Sequence, residues 1–216
     1  MGELKKYLHL YINDPLDPYV NAQLGEEYDK LGQGAAALSY FLRAAELLYD
    51  TNKDLSYNCL LKTWKQLNKI GRRRGWEKKQ LELAVSFNPT RPEAYLFLSM
   101  HHNNSQEIFD YHHESYMYAC LGLQYIDKEP LKYDVGYHSY LLYFQKAFHG
   151  WYIAKRDESK KLWGKLGNMP NILPEHKKII DHNNKIFGNN ANNPKSIKFN
   201  ITTKDKNQTE EYYYSE

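Results

Sequence analysis

Apolar residues recur along this chain every three or four positions, in helix-length stretches broken by Gly, Pro, Asn and Asp. That period predicts amphipathic helices. Leu4, Tyr7, Leu8 and Tyr11 predict a short first helix. Asp14-Pro15-Leu16-Asp17-Pro18 ends it, because a residue before proline avoids the helical region. Asp17 is placed to cap the next helix, with Pro18 at its first position. Leu24, Tyr28 and Leu31 then share one stripe. After the turn Leu31-Gly32-Gln33-Gly34, a second stripe holds Ala37, Phe41, Ala44, Ala45 and Leu48. Small residues stand where two helices must approach closely, and Phe41 is the ring that fills the gap between them.

The same plan recurs. Leu60, Leu61, Trp64 and Leu67 mark a third stripe, the segment GRRRGWEKKQ a turn, and Leu81, Ala84 and Phe87 a fourth, stopped by Pro89. Ala84 corresponds to Ala44 at an offset of 40, and Ala119 to Ala84 at 35. The extra residues of the first interval are assigned to Asp50-Thr51-Asn52-Lys53. Thr90-Arg91-Pro92-Glu93 reads as a capping box, in which Thr90 accepts from the Glu93 amide and the Glu93 carboxylate reaches back. Ala94, Tyr95, Leu98 and His102 continue that helix; after Asn103-Asn104-Ser105, Tyr116, Ala119 and Leu123 mark its partner. Beyond Pro130 a long helix is predicted from Asp134 to Ala154, with Tyr137, Leu141, Phe144, Phe148 and Trp151 apolar. A short helix capped by Asp157 follows, carrying Leu162, Trp163 and Leu166, and then a last one from Pro174 to Phe187. From Gly188 on, the text is Asn- and Lys-rich and ends Glu-Glu-Tyr-Tyr-Tyr-Ser-Glu, which predicts a mobile tail. Ile197-Lys198-Phe199-Asn200-Ile201 alternates and is the one stretch there that could pair.

The set Leu24-Gly25, Tyr28, Ala37, Phe41 and Ala44 resembles a tetratricopeptide repeat (TPR), whose period is about 34 residues. Three longer strings resemble a particular TPR-like family. They are Leu31-Gly32-Gln33, Phe41-Leu42-Arg43-Ala44-Ala45-Glu46, and Asn88-Pro89-Thr90-Arg91-Pro92-Glu93-Ala94-Tyr95. Ala119-Cys120-Leu121-Gly122-Leu123, Pro130-Leu131 with Asp134 and Tyr137, and Phe144-Gln145-Lys146-Ala147 with Glu158-Ser159 extend the likeness over residues 11 to 187. That family occurs in marine bacteriophages and related bacteria, and its members are often fused to, or associated with, glycosyltransferases or small methyltransferases. Asn21 departs from the repeat by standing at the usual Trp position. The resemblance implies an all-α, right-handed solenoid of antiparallel helix pairs, of about three and a half repeats. The expected organisation is an N-terminal helix at 1–16, the solenoid at 17–188 and the tail at 189–216.

Composition narrows the function. A hydrophobic content of 42% supports a core, and a net charge of +3 over 216 residues is too small for a general polyanion binder. Nucleic acid is therefore not an expected partner. No apolar run approaches the roughly 20 residues that span a bilayer, no leader is apparent, and the chain reads as cytoplasmic (host cytoplasm if viral). Cys59 and Cys120 read as buried free thiols. Twenty tyrosines suit either contact surfaces or packing, and AT-rich coding favours Tyr together with Asn, Lys and Ile.

The candidate chemistry is sparse. His101-His102 and His112-His113 could meet across a helix turn, with Glu114 as third ligand, but adjacent helical residues point about 100° apart and no ligand spacing recurs. Arg72-Arg73-Arg74 beside Trp76, with Lys78-Lys79, reads as a phosphate or acidic-peptide site or as a solvated turn; Glu77 and Glu82 dilute it. No paired carboxylates, nucleophile elbow, Asp-x-Asp or Gly-rich phosphate loop occurs. No catalysis, cofactor or metal is expected. In TPR arrays the first helix of each pair lines a concave face. Here that predicts a groove of Tyr19, Glu26, Asp29, Lys62, Gln66, Lys69, Arg91, Tyr95 and Met100, with Ala22, Glu93, Leu96 and Asn103 beside them. The expected function is a non-enzymatic module holding a protein partner, as peptide or loop, in that groove. The alternatives are an accessory part of a glycosyltransferase or glycan-modifying system with catalysis on another chain, and a virion component.

Overall fold

The computed structural model describes residues 2–71, 75–101, 111–129, 131–132 and 136–189, and among these it contains ten helices and no strand. They are α1 (Gly2–Asn13), α2 (Pro18–Lys30), α3 (Gly34–Leu48), α4 (Lys53–Ile70), α5 (Trp76–Phe87), α6 (Pro92–His101), α7 (Tyr111–Leu123), α8 (Tyr140–Tyr152), α9 (Arg156–Gly167) and α10 (Pro174–Asn189). Each packs chiefly on its neighbours in sequence, which is the contact pattern of a solenoid. The pairs are α2/α3, α4/α5, α6/α7 and α8/α9, with α10 closing the stack. A complete fourth pair therefore forms where the repeat signature had faded. Of the expected tail, Gly188 and Asn189 belong to α10, and the rest, with Ile197–Ile201, lies outside the described residues, as do Arg72–Arg74, His102 and Asn103–Ser105.

The first pair forms as its sequence dictates. The Asp17 carboxylate accepts from the amides of Tyr19 (2.8 Å) and Val20 (3.0 Å), satisfying two of the donors a helix start leaves open. Gly32, at φ +71°, makes the left-handed exit that most residues avoid. Leu24, Ala37, Phe41, Ala44 and Leu48 are fully buried. A Cβ placed on Gly25 would lie 2.6 Å from the Phe41 ring, so the ring occupies the space a side chain would need. Leu31 departs from its predicted stripe: it is the residue after the last turn of α2 and is exposed.

Three further predicted boundaries change. The long helix expected from Asp134 starts only at Tyr140, because Gly136 (φ +74°) breaks the helical path; Asp134 itself is outside the described residues. It ends at Tyr152, before Ala154 at φ +63°, a left-handed residue that no α-helix continues through. Asp157 does not cap α9; Lys155 holds that position and Asp157 sits in the first turn, where its charge favours the helix N-terminus. The capping box at Thr90 is also absent. Thr90 Oγ1 donates to Asn88 Oδ1 (3.2 Å), and the Glu93 carboxylate goes to Arg91 instead. The amide of Ala94 is satisfied from another repeat, by the hydroxyl of Tyr57 on α4 at 2.8 Å. Burial holds the Tyr57 phenol well above its ordinary pKa, so it stays protonated.

Candidate partner-binding face

Of the nine predicted groove residues, α2 carries Tyr19, Glu26 and Asp29, α4 carries Lys62, Gln66 and Lys69, and α6 carries Tyr95 and Met100; Arg91 just precedes α6. The structure brings the charged ones together across α2 and α4. Lys62 Nζ pairs with the Glu26 carboxylate, and Lys69 Nζ reaches Asp29 Oδ1 at 2.6 Å. Both pairings run in the same direction along the two helices, so α2 and α4 lie parallel on one face. Partial burial pushes the Asp29 pKa up, but the hydrogen bond and charge of Lys69 outweigh it and hold the carboxyl below its ordinary range. The face is thus a ladder of matched charges rather than a field of one sign.

Three of the nine are not available to a ligand. Gln66 is 1% exposed, because it lies under the approach of Gly34 and Ile70. Arg91 is buried with its Nη2 on Glu93 Oε1 (2.5 Å), its Nε on Glu93 Oε2 (3.2 Å) and its Nη1 donating to the Glu129 carbonyl (2.9 Å). Tyr95 stacks on Tyr125 with ring centroids 6.1 Å apart and donates to the Pro89 carbonyl at 2.9 Å. Glu93, Leu96 and Ala22 are buried as well. Tyr19, by contrast, is 53% exposed, and Met100 is half-buried against the core. The accessible face is therefore Tyr19, Glu26, Asp29, Lys62, Lys69 and Met100.

Of the paired histidines, His112 is engaged by a later helix. His112 Nδ1 lies 2.9 Å from Nδ1 of the fully buried His149 on α8, whose Nε2 is 3.1 Å from Gln145 Oε1. The amide oxygen fixes the proton on His149 Nε2, so His149 Nδ1 accepts and His112 Nδ1 donates. Burial, with the adjacent His113, pushes the His112 pKa down to about 4. Glu114 pairs with Lys78 on α5. Among the described residues no group of three or more His, Cys, Asp or Glu could hold a metal ion. Cys59 and Cys120 are free thiols; Cys59 is buried, which pushes its pKa to about 12, and Cys120 is partly exposed.

A second cluster, unread in the sequence as a unit, joins α7, α8 and α9. The Tyr116 hydroxyl donates to Glu158 Oε2 (2.7 Å), and Lys146 Nζ meets Glu158 Oε1 (2.8 Å). The ammonium groups of Lys155 and Lys146 sit 5.0 and 5.6 Å from the Tyr116 ring centroid. Burial raises the Glu158 pKa, but Lys146 and Tyr116 together bring it below the ordinary carboxylate value; burial and Glu158 raise that of Tyr116. A phenol held protonated and a carboxylate held ionised exchange no proton near neutrality, so the cluster ties helices together. A cleft of about 670 Å³ opens on the side made by α1, α3 and α5, between Tyr11, Tyr40, Arg43, Glu46 and Phe87. No described helix is long and apolar enough to cross a membrane.

No family model and no curated protein matches this chain. Solved structures do. One crystal structure of MamA superposes with a TM-score of 0.56 at 15% identity, covering 76% of this chain and 84% of that one. Another MamA structure gives 0.55 at 14%, covering 79% and 87%. MamA is a TPR-like helical protein, and at these identities the likeness is one of fold: the chain is an all-α solenoid of the TPR-like kind.

Proposed function

We propose that the chain is a non-enzymatic interaction module that holds a protein partner against the face of α2, α4 and α6. The observation that carries this reading is the accessible row itself: an exposed ring at Tyr19, two inter-helix ion pairs and a thioether at Met100, spread along three consecutive first helices. An extended segment laid across them meets polar contacts on the first two repeats and an apolar anchor at either end, and tyrosine provides contact area with few rotamers to freeze. Because the lysines already have partners, a ligand that brings carboxylates must exchange them for Glu26 and Asp29. Such exchange gives specificity and salt dependence more than raw affinity.

The test is capture from the native host with the tagged full chain, followed by mass spectrometry. Tyr19→Ala combined with Met100→Ala is expected to lose the captured protein while circular dichroism is unchanged. Retention of that protein by the double variant would sink the assignment of this face. The carbohydrate-associated reading rests on the family resemblance; a transferase among the captured proteins would favour it. A purified chain that turned over a substrate unaided would overturn both.

A further inference from the structure

The edge of the solenoid that holds the turns within each pair carries apolar surface that no described helix covers. Leu31, Ile70 and Trp76 are 53%, 48% and 68% exposed, at the end of α2, the end of α4 and the start of α5. Ile70 lies against the start of α3, since a Cβ on Gly34 would be 3.0 Å from its Cγ1; the apolar surface therefore bridges the first and second pairs. Lys79 is exposed one turn into α5 and makes no ion pair among the described residues. Lys65 is exposed on α4 and makes no ion pair among the described residues; its charge is felt at Asp29. Lys62 and Lys69 are engaged with Glu26 and Asp29. Lys79 thus carries positive charge one turn along α5 from Trp76.

The up-and-down alternation of the helices brings the C-terminal end of α10 to this same edge. α10 starts beside the end of α9, where Lys177 Nζ donates to the Gly167 carbonyl at 2.9 Å. It finishes beside the end of α8, with the Phe187 ring 4.5 Å from that of Trp151. Trp151, like Ile70, belongs to the last turn of a first helix. From α10 back to α4 is three helix spacings of about 10 Å each, or roughly 30 Å. Residues 190–210 have an extended reach of about 70 Å. They lead into Glu210-Glu211-Tyr212-Tyr213-Tyr214-Ser215-Glu216, a segment with three carboxylates, three rings and no cation.

We propose that Glu210–Glu216 docks on its own chain, across the edge made by Leu31, Ile70, Trp76 and Lys79. The tyrosine rings cover the apolar residues, and the carboxylates face Lys65 and Lys79. Tethering makes even a weak contact effective: at a local concentration of about 1 mM, an intrinsic dissociation constant of roughly 100 µM gives about 90% occupancy. The inference does not rest on the partner-binding face described above, although Lys65 borders it.

Zero-length carbodiimide cross-linking of the dilute full chain, with peptide mapping of the monomer, tests it. The expected result is amide bonds from Glu210 or Glu211 to Lys79 or Lys65. Trp76→Ala, at an exposed site, should leave the melting temperature unchanged and cut that yield by roughly fivefold, equivalent to about 1 kcal/mol of lost contact. Bonds running instead to lysines away from this edge, such as Lys132 or Lys177, would overturn the proposal. So would bonds found only in cross-linked dimers, which would place the segment on a second copy, or a yield indifferent to Trp76→Ala.

Discussion

The α2–α3 interface and the α7–α8–α9 interface close the same architecture by different means. The first is closed by shape: Gly25, Ala37 and Ala44 let the backbones approach, and Phe41 fills what remains. The second adds to close packing at Gly122 and Gly150 a set of polar pairs: His112 with His149, His149 with Gln145, and Tyr116 and Lys146 with Glu158. The comparison teaches where each region is vulnerable. A shape-closed interface is sensitive to volume and indifferent to protons. A pair-closed one is sensitive to protonation, because buried polar groups are favourable only while their partners stay matched.

The largest effect should come from Phe41→Ala, which removes the ring at the centre of the shape-closed region. We expect a loss of about 3–5 kcal/mol in urea unfolding, the usual cost of emptying a fully buried aromatic site. An unchanged midpoint would refute the packing role. Because solenoid stability approximates a sum over neighbouring interfaces, the transition should also broaden as the first pair melts early.

Acid should act on the other region. With its pKa held at about 4 against an ordinary 6.5, His112 favours folding as the neutral ring. The unfolded chain binds more protons between those values. Its contribution is therefore complete above about pH 6.5 and is lost as pH falls toward 4. The loss is up to about 3 kcal/mol, less for the group's partial exposure. Asp29 and Glu158, whose folded values are lowered from 3.8 and 4.5, lose their contributions only at still lower pH. Urea midpoints measured at pH 7 and pH 4.5 should differ markedly in the native chain and much less in His112→Gln. Equal slopes would show that the histidine pair is not the titrating element.

Gly25→Ala sharpens the comparison from the opposite side by adding one methyl where the Phe41 ring already lies. A destabilisation of about 1–3 kcal/mol is expected, independent of pH. Gly25→Ala in a Phe41→Leu background should cost less, and a double-mutant cycle would show the coupling. The smallest effect belongs to Lys69→Ala. Its ion pair with Asp29 is half open to solvent, so thermal stability should change by less than about 1 kcal/mol. A larger loss would mean that the charge ladder is structural rather than a surface for a partner.

The shape-closed half was legible in the sequence because its evidence is local. Gly, Ala and Phe at helical spacing report close approach within about thirty residues, and Asp17 with Pro18 marks a start that the structure keeps. The apolar stripes of the other half were legible too, but its polar pairings were not. His112 and His149 are 37 residues apart and Tyr116 and Glu158 are 42 apart, and no period links them. The burial of Arg91 and Tyr95 was hidden for a related reason: besides the nearby Glu93 and Pro89, their partners include the Glu129 carbonyl and Tyr125, which belong to a later turn of the chain. Gln66 failed because helical phase gives direction but not depth. The Gly34 approach that buries it comes from another helix.

The phenol of Tyr57 completes the start of α6 by accepting from the amide of Ala94, thirty-seven positions later. The second and third repeats are therefore not interchangeable modules. A chimera joined at Pro89 to a foreign preceding unit would present that amide to hydrocarbon with no acceptor, a penalty of about 1–3 kcal/mol at the splice. Recombination of this array, in nature or by design, has to move α4 to α6 as one cassette.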